Sequence, residues 1–352
     1  MKKKDSYTLK QISAKSGFSE TTVSRILSNQ AAKYRISPET EKIVRALAEE
    51  LHFVPNQLAQ SLRLQKTNTI GLIIPDIANT FFSSIAQHVA IEARKIGYSV
   101  ILVDTENSEV IEAESLLLLR SRKVDGLLIT PIGLHSENLE RLVANEMPLV
   151  LIDRYFPDSP IPYVGSDNFT GAYNALLHLI HNGHSRIACI QGLENAFPTM
   201  ERLRGYHQAH RDQNLSVDPA LITGNSFSFE NGYMEMKLLL SYRPRPTALF
   251  AMSNTIALGA LQALQEEGIK VPLDLSIVTF DDQPALGLLG TPLTTVAQQN
   301  EQLGSIAVKM LFHIISTKTN LSHKGILLPT QMIYRDSVRN LRGSALDVSA
   351  TA

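Results

Sequence analysis

Cysteine is almost absent from this chain of 352 residues, which narrows the classes of protein to consider. The single cysteine, Cys189, excludes an internal disulfide and favours a reducing cytoplasm. The sequence also has no Cys/His zinc pattern, no phosphate-binding glycine loop and no nucleophile elbow of the hydrolase type. No apolar run approaches the roughly 18 residues that a membrane span needs. We therefore expect no cofactor, no bound metal and no membrane contact.

Two local patterns have plain interpretations. The start of the chain, MKKKDSYTLKQ, is basic, but no apolar stretch follows it, so we expect no secretory signal. His178, His181 and His184 are spaced as metal ligands on a helix could be. However, Gly183 is expected to end the helix first, and no cysteine or carboxylate completes the set. Contacts with the dipole of a helix C-terminus are the preferred interpretation.

The net charge of −1 hides an asymmetry along the chain. Residues 1–66 carry 12 Lys/Arg and 6 Asp/Glu, so the front of the chain has a net charge of +6. The remainder carries 21 basic and 28 acidic residues, a net charge of −7. A basic front on an acidic body suggests a polyanionic partner for the front alone, although short basic segments also arise by chance.

Three short helices are predicted at the front of the chain. Thr8 begins a capping box, Gly17 gives a tight break, and Ser19 can cap a second helix. Ser37 followed by Pro38 opens a third helix in the preferred order. This is the layout of a helix-turn-helix, in which the second helix lies in the major groove of DNA. The apolar side chains expected to face inward are Leu9, Ile12, Val23, Ile26, Leu27, Ile43, Val44, Leu47 and Leu51.

The second of these helices has a polar face of hydroxyls and one arginine. Threonine and serine can bond bases or phosphates, and arginine is the usual reader of guanine, so this face favours DNA binding. The alternative is a small helical bundle whose polar residues are merely solvated. The residues of this face are Glu20, Thr21, Thr22, Ser24 and Arg25.

Three blocks of sequence, in this order and spacing, resemble one family. TLKQISAKSGFSETTVSRIL, PNQLAQSLR and TIGLIIPDIANTFF look like the lactose/galactose repressor family of bacterial transcription regulators, and the resemblance covers about residues 7–340. It implies that PNQLAQSLR is a hinge helix ordered only on operator DNA. It also implies that Leu62 wedges into the minor groove, as apolar side chains do where they kink DNA. The residues expected to contact DNA are Thr8, Ser19, Glu20, Thr21, Thr22, Ser24, Arg25, Asn29, Tyr34, Asn56, Ala59, Leu62 and Arg63.

From Thr69 onward, apolar strands alternate with helices, which predicts right-handed crossovers and parallel sheets. The pattern restarts after Ser166, so we predict an α/β fold with two similar halves. The resemblance implies a two-lobed, periplasmic-binding-protein-like body in which the chain crosses between lobes three times. The expected organisation is a helix-turn-helix head at 1–54, a hinge and linker at 55–68, a body at 69–340 divided into 69–166 with 296–328 and 167–295 with 329–340, and a disordered tail at 341–352.

The ends of the strands are the candidate ligand site. Ligands in open parallel sheets bind beyond the carboxyl ends of the strands, and in two lobes these ends face each other across a cleft. Charged and amide groups with nearby aromatic rings suit a sugar, although polar residues at strand ends are also common as caps. The residues that follow the strands are Asp76, Asn79, Phe81, Thr130, Asp153, Arg154, Asn254, Asp281 and Asp282.

The resemblance implies roles for part of this set and adds further residues. Arg202 matches an arginine that clamps effector hydroxyls or carboxylates, Phe227 a ring against the ligand, and Gln298 a position at a crossover. The family usually reads Asn-Asp where this chain has Asn254 and Thr255, so one carboxylate is replaced by a hydroxyl. The expected effector-binding residues are Asp76, Asn79, Phe81, Thr130, Asp153, Arg202, Phe227, Asn254, Asp281 and Gln298.

Three functions are compatible with such a body. We favour a cytoplasmic, DNA-binding transcriptional regulator, a repressor of carbohydrate-utilisation genes controlled by a sugar or sugar derivative. It is expected to bind a pseudo-palindromic operator as a homodimer, and the tail has no apolar heptads that would add a tetramerising coil. A sugar-binding protein for transport would share the body but has no role for a basic head. A sugar-modifying enzyme is disfavoured because we find no catalytic constellation, so no catalytic residue is expected.

Overall fold

The chain divides into two compact units, Met1–Thr67 and Asn68–Ala352. The computed structural model describes residues 7–53, 66–194, 196–319 and 324–342.

The predicted hinge helix and most of the predicted tail lie outside the described residues. The segments concerned are residues 54–65 and 343–352. Four of the residues expected to contact DNA fall there, namely Asn56, Ala59, Leu62 and Arg63.

Three helices form the first unit, as predicted: α1 (Leu9–Ser16), α2 (Glu20–Leu27) and α3 (Pro38–Glu50). Each begins at a hydroxyl residue whose oxygen accepts a backbone N–H of the first turn. Gly17 follows α1 with a φ of 75°, a left-handed conformation that glycine adopts without steric cost. Helices this short are marginal alone, so they depend on packing against one another.

The core of this unit corrects one sequence prediction. Ile43 was expected to face inward, but it is 48% exposed, and Ala48 is buried instead. Val44, Ala48 and Leu51 lie four and three residues apart, which places them on one side of α3. The buried residues that make this core are Ile12, Val23, Ile26, Ala31, Val44, Ala48 and Leu51.

The second unit alternates strands and helices. Its strands are β1 (Thr69–Ile74), β2 (Ser99–Asp104), β3 (Gly126–Ile129), β4 (Leu149–Ile152), β5 (Tyr163–Ser166), β6 (Ile187–Ile190), β7 (Ile222–Thr223), β8 (Ala248–Ala251), β9 (Ser276–Phe280), β10 (Thr294–Ala297), β11 (Gly325–Leu328) and β12 (Gln331–Ile333). Its helices are α4 (Thr80–Lys95), α5 (Glu109–Ser121), α6 (Glu137–Ala144), α7 (Asn168–His181), α8 (Phe197–Asp212), α9 (Phe229–Ser241), α10 (Asn254–Glu266) and α11 (Asn300–Thr317).

The strands form two six-stranded sheets with the same order, one in each lobe. The first sheet runs β11-β5-β4-β3-β1-β2 and is parallel throughout. The second runs β12-β10-β9-β8-β6-β7 and is parallel except for β12, which pairs antiparallel with β10. Helices cover both faces of such sheets, which explains why strands such as β3 and β4 are buried along their whole length.

The lobe boundary expected between residues 328 and 329 falls between two strands in different lobes, β11 and β12, with Pro329 between them. Two other details of the body differ from the sequence predictions. Strand β5 was not predicted, because its four residues include a glycine and are too few to show a pattern. Strand β10 lies whole in the second sheet, so the return to the first lobe begins after Ala297 and not at 296.

The chain passes between the two lobes at three places, near Asp167, near Gln298 and near Pro329. Hydrogen bonds tie these crossings together. The backbone N–H of Asp167 donates to the oxygen of Leu328 at 2.8 Å, and Nε2 of Gln299 donates to the oxygen of Pro329 at 2.7 Å. The three connections therefore form one bonded strip along the base of the cleft.

Two glycines allow α9 and α10 to pack closely. A Cβ built on Gly232 of α9 would lie 2.0 Å from the backbone oxygen of Ile256, and one on Gly259 of α10 would lie 2.0 Å from that of Phe229. Both obstacles are backbone atoms, so a side chain there cannot be accommodated by a rotamer change. The contact between these two helices requires glycine at both positions.

We expect Gly232→Ala to destabilise the body. Alanine favours a helix over glycine by roughly 1 kcal/mol, but overpacking of a close contact typically costs about 1–3 kcal/mol or more, and here the neighbour is backbone. Urea unfolding of the full chain, followed by circular dichroism, should show a lower midpoint. Gly290→Ala is the matched control, since nothing lies within 4 Å of a Cβ at Gly290. Equal midpoints for the two variants would contradict the packing argument.

Candidate nucleic-acid interface and ligand site

Helix α2 of the first unit carries the candidate nucleic-acid interface. Oγ of Ser19 accepts the N–H of Thr22 at 3.1 Å and lies 2.9 Å from the hydroxyl of Thr22. These two hydroxyls therefore hold the first turn in place. Glu20 and Thr21 are exposed, and Ser24 is half-buried.

Arg25 is held by an aromatic ring. Its guanidinium carbon lies 3.8 Å from the centroid of the Tyr34 ring. Tyr34 is 42% exposed, and cation–π contacts at such surface positions are worth about 0.5–1 kcal/mol. Stacking occupies the face of the guanidinium, whereas its N–H donors lie around the edge. The contact thus orients Arg25 without using those donors.

Two other residues expected to contact DNA take part in bonds within the first unit. Asn29 has a φ of 55°, and its Oδ1 accepts a hydrogen bond from Arg45 at 2.7 Å. Arg45 also donates to the backbone oxygen of Ile26 at 3.1 Å, so it joins α3 to the end of α2. Thr8 closes the capping box of α1.

Two aspartates occupy equivalent places at the facing strand ends of the second unit. Asp153 directly follows β4 and Asp281 directly follows β9, and both have left-handed backbones, with φ of 65° and 69°. Both backbone N–H groups donate 2.9 Å hydrogen bonds to the neighbouring strand, at Val164 and Val296 respectively. Aspartate tolerates this conformation better than most residues, and the turn buries both carboxylates at the cleft.

The cleft between the lobes contains a small cavity, here called the inner cavity, with a volume of about 30 Å³. Ligand pockets usually measure about 300–1,000 Å³, so a sugar ring requires the lobes to part or side chains to rearrange. The residues that line it are Asn79, Phe81, Phe82, Asp153, Arg154, Pro198, Arg202, Phe227, Ser253, Asp281 and Gln298.

Arg202, on α8, is 3% exposed and is bonded on several sides. Its Nε donates to Oδ1 of Asn168 at 2.8 Å, and its Nη1 donates to the backbone oxygen of Met252. Its guanidinium also lies 3.8 Å from the centroid of the Phe280 ring. These contacts all belong to the second lobe, so Arg202 has a structural role there as well as lining the cavity.

Asp153 is an acid of this cavity whose pKa is shifted by burial. Burial raises the pKa of its carboxyl to about 6, although the guanidinium groups of Arg154 and Arg202 partly oppose that rise. Its Oδ1 is buried and has no hydrogen-bond partner among the described residues, and the same holds for Oε1 of Gln298. Burial also raises the pKa of Asp281, whose Oδ1 accepts from Nε2 of Gln298 at 2.5 Å. The cavity thus presents two acceptors without donors.

A second cavity, here called the side cavity, adjoins the inner one and has a volume of about 180 Å³. Asn254 lines it and donates to Oγ1 of Thr80 across the cleft at 3.3 Å. Thr80 in turn donates to Gln283 of the second lobe at 2.9 Å. Thr255, which stands where the family usually has an aspartate, donates to Oδ1 of Asn254 at 3.1 Å.

Two of the residues expected to bind an effector line neither of these cavities. Oδ1 of Asp76 accepts the N–H of Ala78 at 2.8 Å and so shapes its own turn. Thr130 is buried and donates its N–H to the oxygen of Ile73 at 3.0 Å. Both residues follow a strand, as predicted, but that position does not bring them to either cavity.

The inner cavity also includes residues that the expected set omitted. Phe82 and Pro198 lie in the first turns of α4 and α8, and Ser253 caps α10. Arg154 had been noted only as a residue after a strand. The start of a helix that follows a strand was the signal that could have identified the first three.

No helix in the described ranges is long and apolar enough to cross a membrane. In the same ranges, both ring nitrogens of His184 have protein partners, Thr247 at 3.0 Å and the oxygen of Arg339 at 3.1 Å. His184 therefore holds the last described segment against the second lobe.

Two family models match the chain, one in each unit. Residues 8–56 match the bacterial regulatory proteins of the lacI family, and residues 176–338 match the periplasmic binding protein-like domain. The helix-turn-helix head and the two-lobed body were both predicted, and these matches confirm them.

Characterised relatives match almost from end to end. The HTH-type transcriptional regulator DegA of Bacillus subtilis is 33% identical over 95% of this chain and 98% of its own length. The HTH-type transcriptional repressor CytR of Escherichia coli is 33% identical over 97% of this chain and 98% of its own.

Solved structures of transcription regulators are also similar to this chain. The lac repressor dimer bound to operator and the anti-inducer ONPF is 25% identical, covers 95% of this chain and 100% of its own, and has a TM-score of 0.85. The transcriptional regulator CelR in complex with cellobiose is 28% identical over 94% of this chain and 99% of its own, with a TM-score of 0.71. A LacI-family regulator from Enterococcus faecium with bound ribose is 28% identical over 78% and 99%, with a TM-score of 0.70.

We expect Arg202→Lys to lower the stability of the body even without any ligand. Lysine cannot reproduce the fork of donors that reaches Asn168 and Met252, so two buried acceptors lose a partner, at a cost of about 1–3 kcal/mol. Arg211→Lys, an exposed site on the same helix, is the control and should unfold like the parent. Chemical unfolding monitored by intrinsic fluorescence measures both. If Arg202→Lys also unfolds like the parent, its bonds are not structural.

Proposed function

The chain belongs to the lacI family of bacterial regulatory proteins, and from that premise we propose that it is a transcriptional repressor that binds operator DNA as a dimer and responds to a small-molecule effector. The members to which it is similar are regulators of transcription and not enzymes. Its place of action is accordingly the cytoplasm, where the operator is.

The first unit supports the DNA-binding part of this proposal. Helix α2 has one buried side and one polar side, and its first turn is fixed by Ser19. The stacked Arg25 holds its donors near the surface, where a bidentate contact with guanine is worth about 1–3 kcal/mol of discrimination. We assign Glu20, Thr21, Ser24 and Arg25 to base or phosphate contacts.

The inner cavity carries the effector part of the proposal. Asp153 and Gln298 present buried acceptor oxygens without donors, beside the rings of Phe81, Phe82 and Phe227. A ligand with several hydroxyls on an otherwise apolar ring meets both requirements. Cellobiose and ribose are bound by two of the similar regulators, and we propose a sugar or sugar derivative here.

The geometry also suggests how the ligand acts. Gln298 bonds Asp281 in the cavity and lies at one of the three crossings between the lobes. A ligand that changes the spacing of the lobes therefore bears directly on the strip that joins them. The ligand can shift the equilibrium only by binding the two arrangements with different affinity, and a dimer would pass that shift to two DNA-binding heads.

Two assays test this proposed function together. Selection of duplexes from a random pool should yield a pseudo-palindrome with two half-sites, because a dimer presents two α2 helices. A thermal-stability screen of sugars and sugar derivatives should identify a ligand, which should then change operator affinity. An asymmetric consensus, or a ligand without any effect on operator affinity, would contradict the proposal.

We predict that Arg25→Lys reduces base discrimination and keeps most of the general affinity for DNA. Lysine retains the positive charge but lacks the rigid fork that reads guanine, so one position of the operator should lose about 1–3 kcal/mol of preference. Competition binding with single-base operator variants measures this loss of base preference. A uniform loss at every sequence would instead identify Arg25 as a phosphate contact.

We further predict that effector affinity rises with pH through about 6. Ligand hydroxyls that donate to Asp153 favour its ionised form, and burial has raised the pKa of that carboxyl to about 6. Below that pH a proton must leave before the ligand binds, so affinity should fall by up to about tenfold per pH unit. Calorimetric titrations between pH 5 and 8 should show this rise of effector affinity with pH, centred near the pKa of Asp153, about 6.

Asp153→Asn is the control for this titration. The amide cannot ionise, so the component of the slope centred near pH 6 should vanish, although Asp281 remains beside it. An unchanged slope in this variant would mean that another group carries the proton.

A further inference from the structure

The loop between α2 and α3 is folded by its own backbone. The N–H of Gln30 donates to the oxygen of Arg25 at 2.9 Å, and the N–H of Ile36 donates to the oxygen of Ala31 at 3.0 Å. Ala31 is buried in the core of the first unit, and Ile36 packs against that core. The loop is therefore anchored at both ends, and it presents the exposed residues between these anchors in a fixed arrangement.

Tyr34 is the aromatic residue of this loop, and its ring lies on Arg25. The N–H of Tyr34 donates to the oxygen of Gln30 at 3.2 Å, which holds Tyr34 close to the end of α2. The 3.8 Å between the ring centroid and the guanidinium carbon is well inside the limit of roughly 6 Å for a cation–π contact. A residue outside α2 therefore restricts the side chain of Arg25.

Arg45 of α3 is held in a different way, by its N–H donors. Those donors reach Glu41 at 2.8 Å, the oxygen of Ile26 at 3.1 Å and Oδ1 of Asn29 at 2.7 Å. Arg45 therefore has a role inside the unit. Arg25 is held through the face of its guanidinium, and this contact leaves its fork of donors available for a partner outside the protein.

Restriction of this kind matters for an arginine that recognises a base. A free side chain loses its rotamer freedom when it binds, which weakens binding by about two- to tenfold, and a side chain that is already restricted loses less. A bidentate contact with guanine also needs both donors of the fork at the base edge. Fixing the orientation of the guanidinium therefore favours guanine over the other bases, and not DNA in general.

The ring of Tyr34 is poorly placed to recognise a base by itself. One of its faces is covered by Arg25, and the bases of a duplex present edges, not faces, to the groove. Nζ of Lys33 lies 5.9 Å from the centroid of the same ring. Lys33 and Arg35 are exposed and positively charged, which suits a loop that lies close to phosphates. The loop can thus lie beside DNA while its ring contacts Arg25.

From these features we propose that Tyr34 is a specificity-determining residue of the DNA site that acts through Arg25. Tyr34 is a positioning residue, because its ring holds the guanidinium of Arg25 in the orientation that bonds guanine. This inference rests on the proposed function. It gives Tyr34 an indirect role in place of the direct DNA contact expected from the sequence.

Variants of the full-length protein test the proposal. The probe is a fluorescein-labelled duplex with the pseudo-palindrome obtained by selection, together with its single-base variants, and fluorescence anisotropy gives the ratio of their dissociation constants. Tyr34→Leu should lower the base preference by at least about threefold at the base pair where Arg25→Ala loses it, because leucine has no ring to orient the guanidinium. At every other base pair the ratio should stay within about twofold of the parent. Tyr34→Gln is a second variant without a ring and should show the same selective loss.

Two further variants separate positioning from a direct contact. Tyr34→Phe keeps the ring and removes only the hydroxyl, so it should behave like the parent. In the double variant with Arg25→Ala, Tyr34→Leu should cause no further loss of preference, because the residue through which it acts is absent.

Tyr7→Leu is the matched control. The ring of Tyr7 is also exposed and lies 5.2 Å from Nζ of Lys15, but it precedes α1, so this variant should keep the base preferences of the parent. Circular dichroism and thermal unfolding of every variant should match the parent, because both tyrosines are exposed.

Four results would overturn the proposal: unchanged preference in Tyr34→Leu and Tyr34→Gln, a loss at a different base pair, an equal loss in Tyr34→Phe, or losses that add in the double variant. A uniform loss of affinity in Arg25→Ala would also overturn it, because Arg25 would then recognise no base. If no duplex of the pool is bound, the proposed function itself fails, and that outcome is distinct from the others.

Discussion

Four buried charges in the cleft between the lobes constrain the rest of the body. Asp153 and Arg154 come from the first lobe, and Arg202 and Asp281 from the second. Burial is the largest influence on the pKa of each, raising it for the aspartates and lowering it for the arginines, so each side chain lies where its ionised form is disfavoured. Within each lobe the two charges are opposite in sign, and all four side chains line the cavity between the lobes. Parting the lobes admits water to that cavity, so the separation of the lobes and the ionisation of these groups are coupled.

The remaining features of the body hold these charges in position. The equivalent turns after β4 and β9 place both aspartates at the cleft, and Asn168, Met252 and Phe280 fix Arg202. The three crossings are hydrogen-bonded to one another, and Gln298 joins them to Asp281. Small changes at the cavity thus act on the connections that determine how the lobes are spaced, which is the property a ligand-controlled regulator needs.

The sequence was most informative where one physical rule acts locally. Capping hydroxyls predicted the helices of the first unit, apolar runs predicted the buried strands, and the end-of-strand rule identified Asp153 and Asp281. It failed where the outcome depends on distant parts of the chain. The placement of β11 and β12 in different lobes was expected from the family resemblance and not from the pattern itself, because it depends on pairing with β5 and β10, which no local pattern encodes. The exposure of Ile43 depends on how the helices of the first unit pack. Phe82, Pro198 and Ser253 were omitted although each lies at the start of a helix that follows a strand, and the way the two lobes face each other brings them to one cavity.

The central claim is that ligand binding in the body and operator binding by the head are one coupled equilibrium. Coupling of this kind is reciprocal, so the factor by which the effector changes operator affinity must equal the factor by which the operator changes effector affinity. The most direct measurement is calorimetric titration of the effector into the dimer, alone and saturated with its operator duplex, beside operator titrations with and without effector. We predict a difference of about 5–150-fold, equal in both directions. An effector affinity that is the same with and without the operator would contradict the account.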